Sequence, residues 1–178
     1  SVLSGGEATV KQTNAGIEVG VPAAQRDACD TIVKLELDGP AAGIEGQAPS
    51  PVSRGKPALA SSTWQSQPGF GAAAAFDGDP STRWGAGEGS RSGWIEVDLG
   101  KPMRMGRAVI DEGHWNRVRR FELQVELDGA WKTIASGTTL GPEEEVTWSP
   151  VTASLFRLNI LEAIDVPTIH EVELFEAK

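Results

Sequence analysis

Hydrophobic residues recur at every second position over much of the chain. Phe121, Leu123, Val125 and Leu127 alternate with Glu122, Gln124 and Glu126, and Asp128-Gly129 follows with the chemistry of a tight hairpin turn. Ile95, Val97 and Leu99 alternate with Glu96 and Asp98, and Phe156, Leu158 and Ile160 with Arg157 and Asn159. Nearer the start, Ile17, Val19 and Val21 follow a turn at Asn14-Ala15-Gly16, and Val33, Leu35 and Leu37 alternate with Lys34 and Glu36. A period of two sends one set of side chains to a core and the other to water, so each run predicts a half-buried strand. No window carries a 3.6-residue stripe of helical length, and the Ala72–Ala75 run suffices for a turn or two only. Short strands separated by Gly, Pro and Asp predict an all-β protein, an antiparallel sandwich or jelly roll.

Composition breaks this pattern once. Residues 39–55 are mostly Gly, Pro, Ser and Ala, with Pro40, Pro49 and Pro51, and read as a linker or loose crossover. It separates a strand-bearing front segment, residues 1–38, from a larger unit, residues 56–178. A few strands in so short a segment cannot bury enough surface to fold alone. The front segment is therefore expected to dock, on the larger unit or on a domain outside this sequence.

Charge and rare residues narrow the function. The net charge of −9 over 178 residues argues against a nucleic-acid partner, and Arg117-Val118-Arg119-Arg120 is too short a basic run to reverse that. A lone cysteine, Cys29, excludes an internal disulfide framework and a cysteine-built zinc site, and two histidines, His114 and His170, make a His-rich metal centre improbable. No apolar run approaches the roughly 20 residues that span a bilayer. The opening Ser1-Val2-Leu3-Ser4-Gly5-Gly6 lacks a signal peptide's basic and apolar regions and an initiator Met, so the chain reads as a processed protein or a piece of a longer one.

Two constellations carry chemistry. In Asp77-Gly78-Asp79-Pro80-Ser81-Thr82, three oxygen-bearing side chains, Asp77, Asp79 and Thr82, fall within six residues around a turn-forming glycine. A hard cation such as calcium needs such oxygens in a tight loop; an Asx-type turn at Pro80 accounts for the same residues. The second is tryptophan, present six times where tyrosine is absent. Trp94 and Trp131 read as core or sheet-face residues, and Trp84 and Trp148 as core. Trp64 and Trp115 lie in polar loops, Trp115 between His114 and Asn116-Arg117, where an indole suits stacking against a sugar or ordinary loop packing. The acids at Glu143-Glu144-Glu145 and Asp111-Glu112 read as solvated surface, and no serine has a nucleophile-elbow pattern to pair with either histidine. No catalytic site emerges.

Ala60-Ser61-Ser62, the run from Ala75-Phe76-Asp77-Gly78 to Arg83-Trp84, and Trp94-Ile95-Glu96-Val97-Asp98-Leu99-Gly100 resemble the discoidin, or coagulation factor 5/8 type C, superfamily. Phe156-Arg157-Leu158 and Ile169-His170-Glu171-Val172-Glu173-Leu174-Phe175 fit it too, so the resemblance spans about residues 55–178. It implies a discoidin-like, galactose-binding-like jelly-roll sandwich, similar to family 32 carbohydrate-binding modules, with a structural calcium and a sugar site in the loops at one end. Carried over by position, calcium is held by side chains of Asp77, Asp79, Thr82 and Glu171 and by carbonyls of Ala74 and His170. The sugar-site candidates are Trp64, His114, Trp115, Asn116 and Arg117, with Arg91 further off.

Arg120-Phe121-Glu122-Leu123-Gln124, Trp131-Lys132-Thr133-Ile134-Ala135-Ser136-Gly137 and Ala163-Ile164-Asp165-Val166-Pro167-Thr168-Ile169 resemble the C-terminal part of family 29 α-L-fucosidases. Gly16-Ile17-Glu18-Val19 and Asp30-Thr31-Ile32-Val33-Lys34-Leu35 resemble the end of those enzymes' small β-domain. This resemblance implies a non-catalytic accessory region of a secreted or periplasmic retaining fucosidase whose catalytic domain lies outside this sequence. Its partners are then fucose- or galactose-containing glycans and that catalytic domain. The alternative is a structural domain that brace the barrel without binding sugar. A discoidin-type membrane module is disfavoured by the acidic charge.

Overall fold

The computed structural model describes residues 8–13, 16–26, 32–34 and 49–177, in two units divided between Ala48 and Pro49. In the front unit, strands β1 (Thr9–Thr13) and β2 (Gly16–Gly20) form an antiparallel hairpin with Val10 opposite Val19. The predicted strand from Ile17 is therefore present, but its apolar side chains are exposed. Val10 is 55%, Ile17 44% and Val19 38% exposed, and among the described residues of the front unit no further strand joins this two-stranded ribbon. Leu35 and Leu37, of the strand expected after it, lie outside the described residues.

The larger unit holds strands β3 (Ala58–Ala60), β4 (Trp84–Gly85), β5 (Gly93–Asp111), β6 (Val118–Leu127), β7 (Ala130–Gly137), β8 (Glu144–Ala163), β9 (Thr168–Ile169) and β10 (Glu171–Glu176). Two of these, β5 and β8, are long enough to serve both layers of a sandwich. The first half of β5 pairs with β3 and with Leu155–Ile160 of β8, and β6 and β7 extend that layer. After a register shift between Asp98 and Met103, the second half pairs with β10 and with Glu144–Ala153. Gly100, at φ +80, supplies the left-handed turn there, and its N–H donates to Asp98 Oδ1 at 2.8 Å.

The predicted alternation becomes one core. Ile95, Val97, Leu99, Phe121, Leu123, Val125, Phe156, Leu158 and Ile160 meet Met105, Ala108, Ile110, Val172 and Leu174 there, all buried. Asp128 (φ 54) and Gly129 (φ 77) make the expected β6–β7 turn with both central residues left-handed, the type I′ geometry. The linker reading of residues 39–55 does not hold at its end. Val52 N–H donates to Leu174 O, and buried Ser53 bonds Val172 O and Leu174 N–H, so this stretch is a wall of the sandwich against β10.

Trp84 is core as expected, fully buried with its indole N–H on Ser62 O at 2.9 Å. Trp94 and Trp131 take the sheet face and flank the Arg157 guanidinium at 4.2 and 3.8 Å, while Arg157 also bridges to Glu96 at 2.6 Å. Two rings and a shielded ion pair on one cation are worth roughly 2–3 kcal/mol. Arg157→Ala is accordingly expected to lower the thermal midpoint by roughly 6–10 °C in calorimetry. A shift within 2 °C would show that the stack contributes nothing.

Candidate functional site

Because β5 and β8 each run down one layer and return up the other, both ends of each lie at one end of the sandwich. Ala163 N–H bonds Arg91 O and Ile164 N–H bonds Arg117 O, tying the approach to β5, the start of β6 and the exit of β8 together. His170 N–H bonds Asp111 O and Glu112 N–H bonds Gly141 O, adding the exit of β5 and the approach to β8. The loops near 61–71, 83–91, 112–117, 139–143 and 164–170 are thus gathered around one rim.

On this rim the Asp77–Thr82 loop makes an oxygen cradle. Thr82 Oγ1 has four oxygens within 2.8–3.1 Å: Ala74 O, both carboxylate oxygens of Asp77, and Asp79 O. A hydroxyl donates one proton, so it satisfies one of these and faces the others with lone pairs. Glu171 Oε1, from the far end of the chain, accepts from Gly78 N–H at 3.0 Å in the same cradle. Burial, a hydrogen bond with Asp77 and repulsion by its charge together raise the Glu171 carboxyl to about 7. Crowded oxygens and two mutually repelling carboxylates are the donor set that a hard divalent cation satisfies.

The ligand set implied by resemblance is modified at Asp79. The Asp79 carboxylate turns out to solvent and accepts from Ser81 N–H and Oγ–H, which hold it below the usual carboxylate range; its carbonyl faces the cradle instead. His170 entered that set through its carbonyl alone, and its imidazole serves the loop differently, with Nδ1 3.0 Å from Pro80 O. Among the described residues no three His, Cys, Asp or Glu side chains converge as metal ligands; the cradle offers two carboxylates and takes its other oxygens from backbone and a hydroxyl.

Beside the cradle, Trp64, Phe70, Arg83, Trp115, Arg117, Asp165 and Thr168 line a cavity of about 260 Å³. Gly85 forms part of its floor because a Cβ there would approach Trp64 to 3.3 Å. Arg117 is fixed by Val166 O at 3.0 Å, Thr168 Oγ1 at 3.2 Å and Asp165 at 3.6 Å, and lies 4.1 Å over the Trp115 ring. One face of that indole is therefore taken, although Trp115 remains 46% exposed. Arg91 reaches the rim through Asp165 at 3.3 Å.

Of the sugar-site candidates, Trp64, Trp115 and Arg117 come together. His114 lies across Trp115, in a separate cavity with Pro80, Asp111, Pro142 and His170. Asn116, left-handed at φ 46, is engaged by Arg119 and lines a third hollow with His114 and Thr139. Sequence reasoning missed Phe70, Arg83, Asp165 and Thr168, whose roles depend on which loops meet. It also misread Glu112, which is not solvated surface but fully buried. Its Oε1 accepts from Arg117 N–H at 2.6 Å and Val118 N–H at 2.9 Å, clamping the loop that carries Trp115.

The F5/8 type C domain family matches residues 57–172. No curated protein sequence matched the chain. Among solved structures, chitosan-binding module 1 of a Paenibacillus sp. IK-5 chitosanase/glucanase is 28% identical, with a TM-score of 0.64, over 70% of this chain and 98% of that one. The family 32 module of C. perfringens NanJ, solved with galactose, is 20% identical with a TM-score of 0.63, over 72% of this chain and 100% of that one. A Ruminococcus gnavus GH29 fucosidase, solved with fucose, is 21% identical with a TM-score of 0.63, over 72% of this chain but 27% of its own. The last two share the fold, which is that of carbohydrate-binding modules. The continuous match over the sandwich, from β3 into β10, shows that the chain belongs to the F5/8 type C domain family.

Proposed function

We propose that this is a non-catalytic carbohydrate-binding region that takes a terminal sugar in the Trp64–Trp115 cavity and holds a structural calcium in the neighbouring cradle. The observation that carries the reading is the convergence of two indoles with fixed polar groups, Arg83, Arg117, Asp165 and Thr168, in one cavity of monosaccharide size. Sugar C–H faces pack on the aromatic walls and hydroxyls meet the polar groups. Asp165 is already paired with Arg91 and Arg117, which favours a neutral sugar such as fucose or galactose over the ammonium-bearing units of chitosan. For calcium, side chains of Asp77, Thr82 and Glu171 and carbonyls of Ala74 and Asp79 supply the oxygens. The setting we infer is a secreted or periplasmic α-L-fucosidase, with the catalytic domain outside this sequence.

A glycan array probed with the full chain in calcium tests the sugar site, with calorimetry on the hits. Neutral terminal fucose or galactose is the expected hit, at a Kd on the order of 0.1–1 mM, about −4 to −5.5 kcal/mol. Trp64→Ala and Trp115→Ala are each expected to weaken it at least tenfold. Silence across the array, or binding untouched by both variants, would overturn the cavity assignment. The chain alone is also expected to leave an aryl α-L-fucoside unhydrolysed; turnover above background would refute the accessory reading.

One feature favours a second role, bracing a catalytic domain. Val10, Ile17 and Val19 share one face of the β1–β2 hairpin and are exposed, an apolar face that invites cover by another domain.

A further inference from the structure

We propose that His170 is a positioning residue that ties the Trp115 indole to the cation loop, so that filling the cradle sets the orientation of the sugar platform. The inference rests on the reading of the cradle as a cation site. Its geometry is independent of that reading. His170 Nδ1 lies 3.0 Å from Pro80 O, a carbonyl within the Asp77–Thr82 loop. Its other nitrogen, Nε2, lies 3.4 Å from Trp115 Nε1.

These contacts select one tautomer. A carbonyl only accepts, so Nδ1 carries the proton and donates to Pro80 O; an indole N–H only donates, so Nε2 accepts with its lone pair. The neutral ring thus fits both partners at once, with its two nitrogens committed in opposite senses. The ring is also hemmed in from behind. Gly113 is left-handed at φ +63, and a Cβ there would come within 3.1 Å of His170 Cδ2 and Nε2. The loop bearing Trp115 therefore rests its backbone on the imidazole as well as its indole N–H.

His170 is anchored from the cradle side too. Its own N–H bonds Asp111 O, and the next residue, Glu171, reaches Gly78 N–H inside the cradle. When Asp77 and Glu171 close on a cation, Pro80 O and the start of β10 are fixed together, and the imidazole between them has one position from which to receive Trp115. The path is short: cradle, Pro80 carbonyl, imidazole, indole. Arg117, stacked on the Trp115 ring, fixes its face, while His170 fixes its edge.

The test uses the full chain with 15N-labelled indoles and calcium alone as the probe. The Trp115 Nε1–H resonance is identified by its disappearance in Trp115→Phe. His170→Asn places an amide donor near Pro80 O but removes the acceptor for Trp115, and His170→Gln does the reverse. Calcium is expected to bind all three proteins within about threefold of one affinity by calorimetry. Only in the unsubstituted chain is the Trp115 resonance expected to shift, saturating with the binding heat. A resonance that stays still while calcium binds, or moves equally in both variants, overturns the relay and leaves the cation reading intact. Absence of binding heat in the unsubstituted chain overturns both.

Discussion

Chelating calcium at pH 8 is expected to lower the melting temperature of the sandwich by roughly 12–16 °C, and at pH 6 by only about two thirds as much. With calcium at a thousandfold excess over Kd, binding contributes about 4 kcal/mol, and each kcal/mol moves a unit of this size by roughly 3–4 °C. The pH dependence comes from Glu171. Its carboxyl is raised from an ordinary 4.5 to about 7 by burial first, then by its hydrogen bond with Asp77 and that group's charge. Between those two pH values the cation-free native protein keeps a proton that the unfolded chain has released. Acidification through this window therefore stabilises the cation-free fold and is complete near pH 4.5. Calcium takes the carboxylate only in its ionised form, so the same proton competes with loading. A group titrating near pH 7 weakens apparent binding about tenfold between pH 8 and pH 6, which leaves a contribution of about 2.7 kcal/mol at the same calcium concentration. Glu171→Gln is expected to make the chelation effect independent of pH, and Asp77→Asn to abolish it. Equal melting temperatures with and without chelator at pH 8 would refute the calcium assignment.

The contrast between Glu171 and Asp79 shows what a sequence can and cannot disclose about such a site. The local spacing of Asp77, Asp79 and Thr82 does point to an oxygen-lined loop, and two of those side chains do face the cradle. Which oxygen of Asp79 turns inward was not legible, because Ser81 competes for the carboxylate through a turn whose geometry depends on Pro80. Glu171 was within reach only through resemblance, since nothing in local spacing links it to residues more than ninety positions earlier. The strands were far more legible. Alternation of apolar and charged residues is imposed by the pleat, so it marks β5, β6 and β8 wherever one face meets the core. It misled for β2, where Ile17 and Val19 alternate with Glu18 yet stay 44% and 38% exposed. Composition also misplaced the end of the linker. Ser53 looks like linker residue by type, yet its hydroxyl serves as both donor and acceptor to β10. The sugar cavity was half legible: aromatic loop residues stood out, whereas Asp165 and Arg83 became site residues only once separate loops met at one rim.

Glu112 lies behind that rim, and its loss is expected to be felt both as stability and as ligand affinity. Its side chain is fully buried, one oxygen accepting from the N–H groups of Arg117 and Val118 and the other, Oε2, having no hydrogen-bond partner. Burial pushes its carboxyl above the ordinary range, against the opposing pull of those two N–H groups and of Arg119 and Arg117. Glu112→Ala leaves two backbone donors buried without acceptors and opens a void, a loss of about 3–5 kcal/mol and roughly 9–20 °C. Glu112→Gln keeps a carbonyl oxygen for both N–H groups and removes the charge that burial disfavours, so its loss is expected to stay below about 1.5 kcal/mol. The two variants also separate in pH. A raised carboxyl binds protons more tightly in the folded state, so stability in saturating calcium falls as pH rises from 4.5 toward the folded value and then levels off. Glu112→Gln is expected to flatten that fall. The same clamp sets where Arg117 leaves the backbone, and Arg117 holds the Trp115 ring, so Glu112→Ala is expected to weaken glycan binding at temperatures well below its own unfolding. If Glu112→Ala instead matches the unsubstituted chain in both melting temperature and glycan affinity, the loop is held by Arg117 and its contacts to Val166 and Thr168 alone.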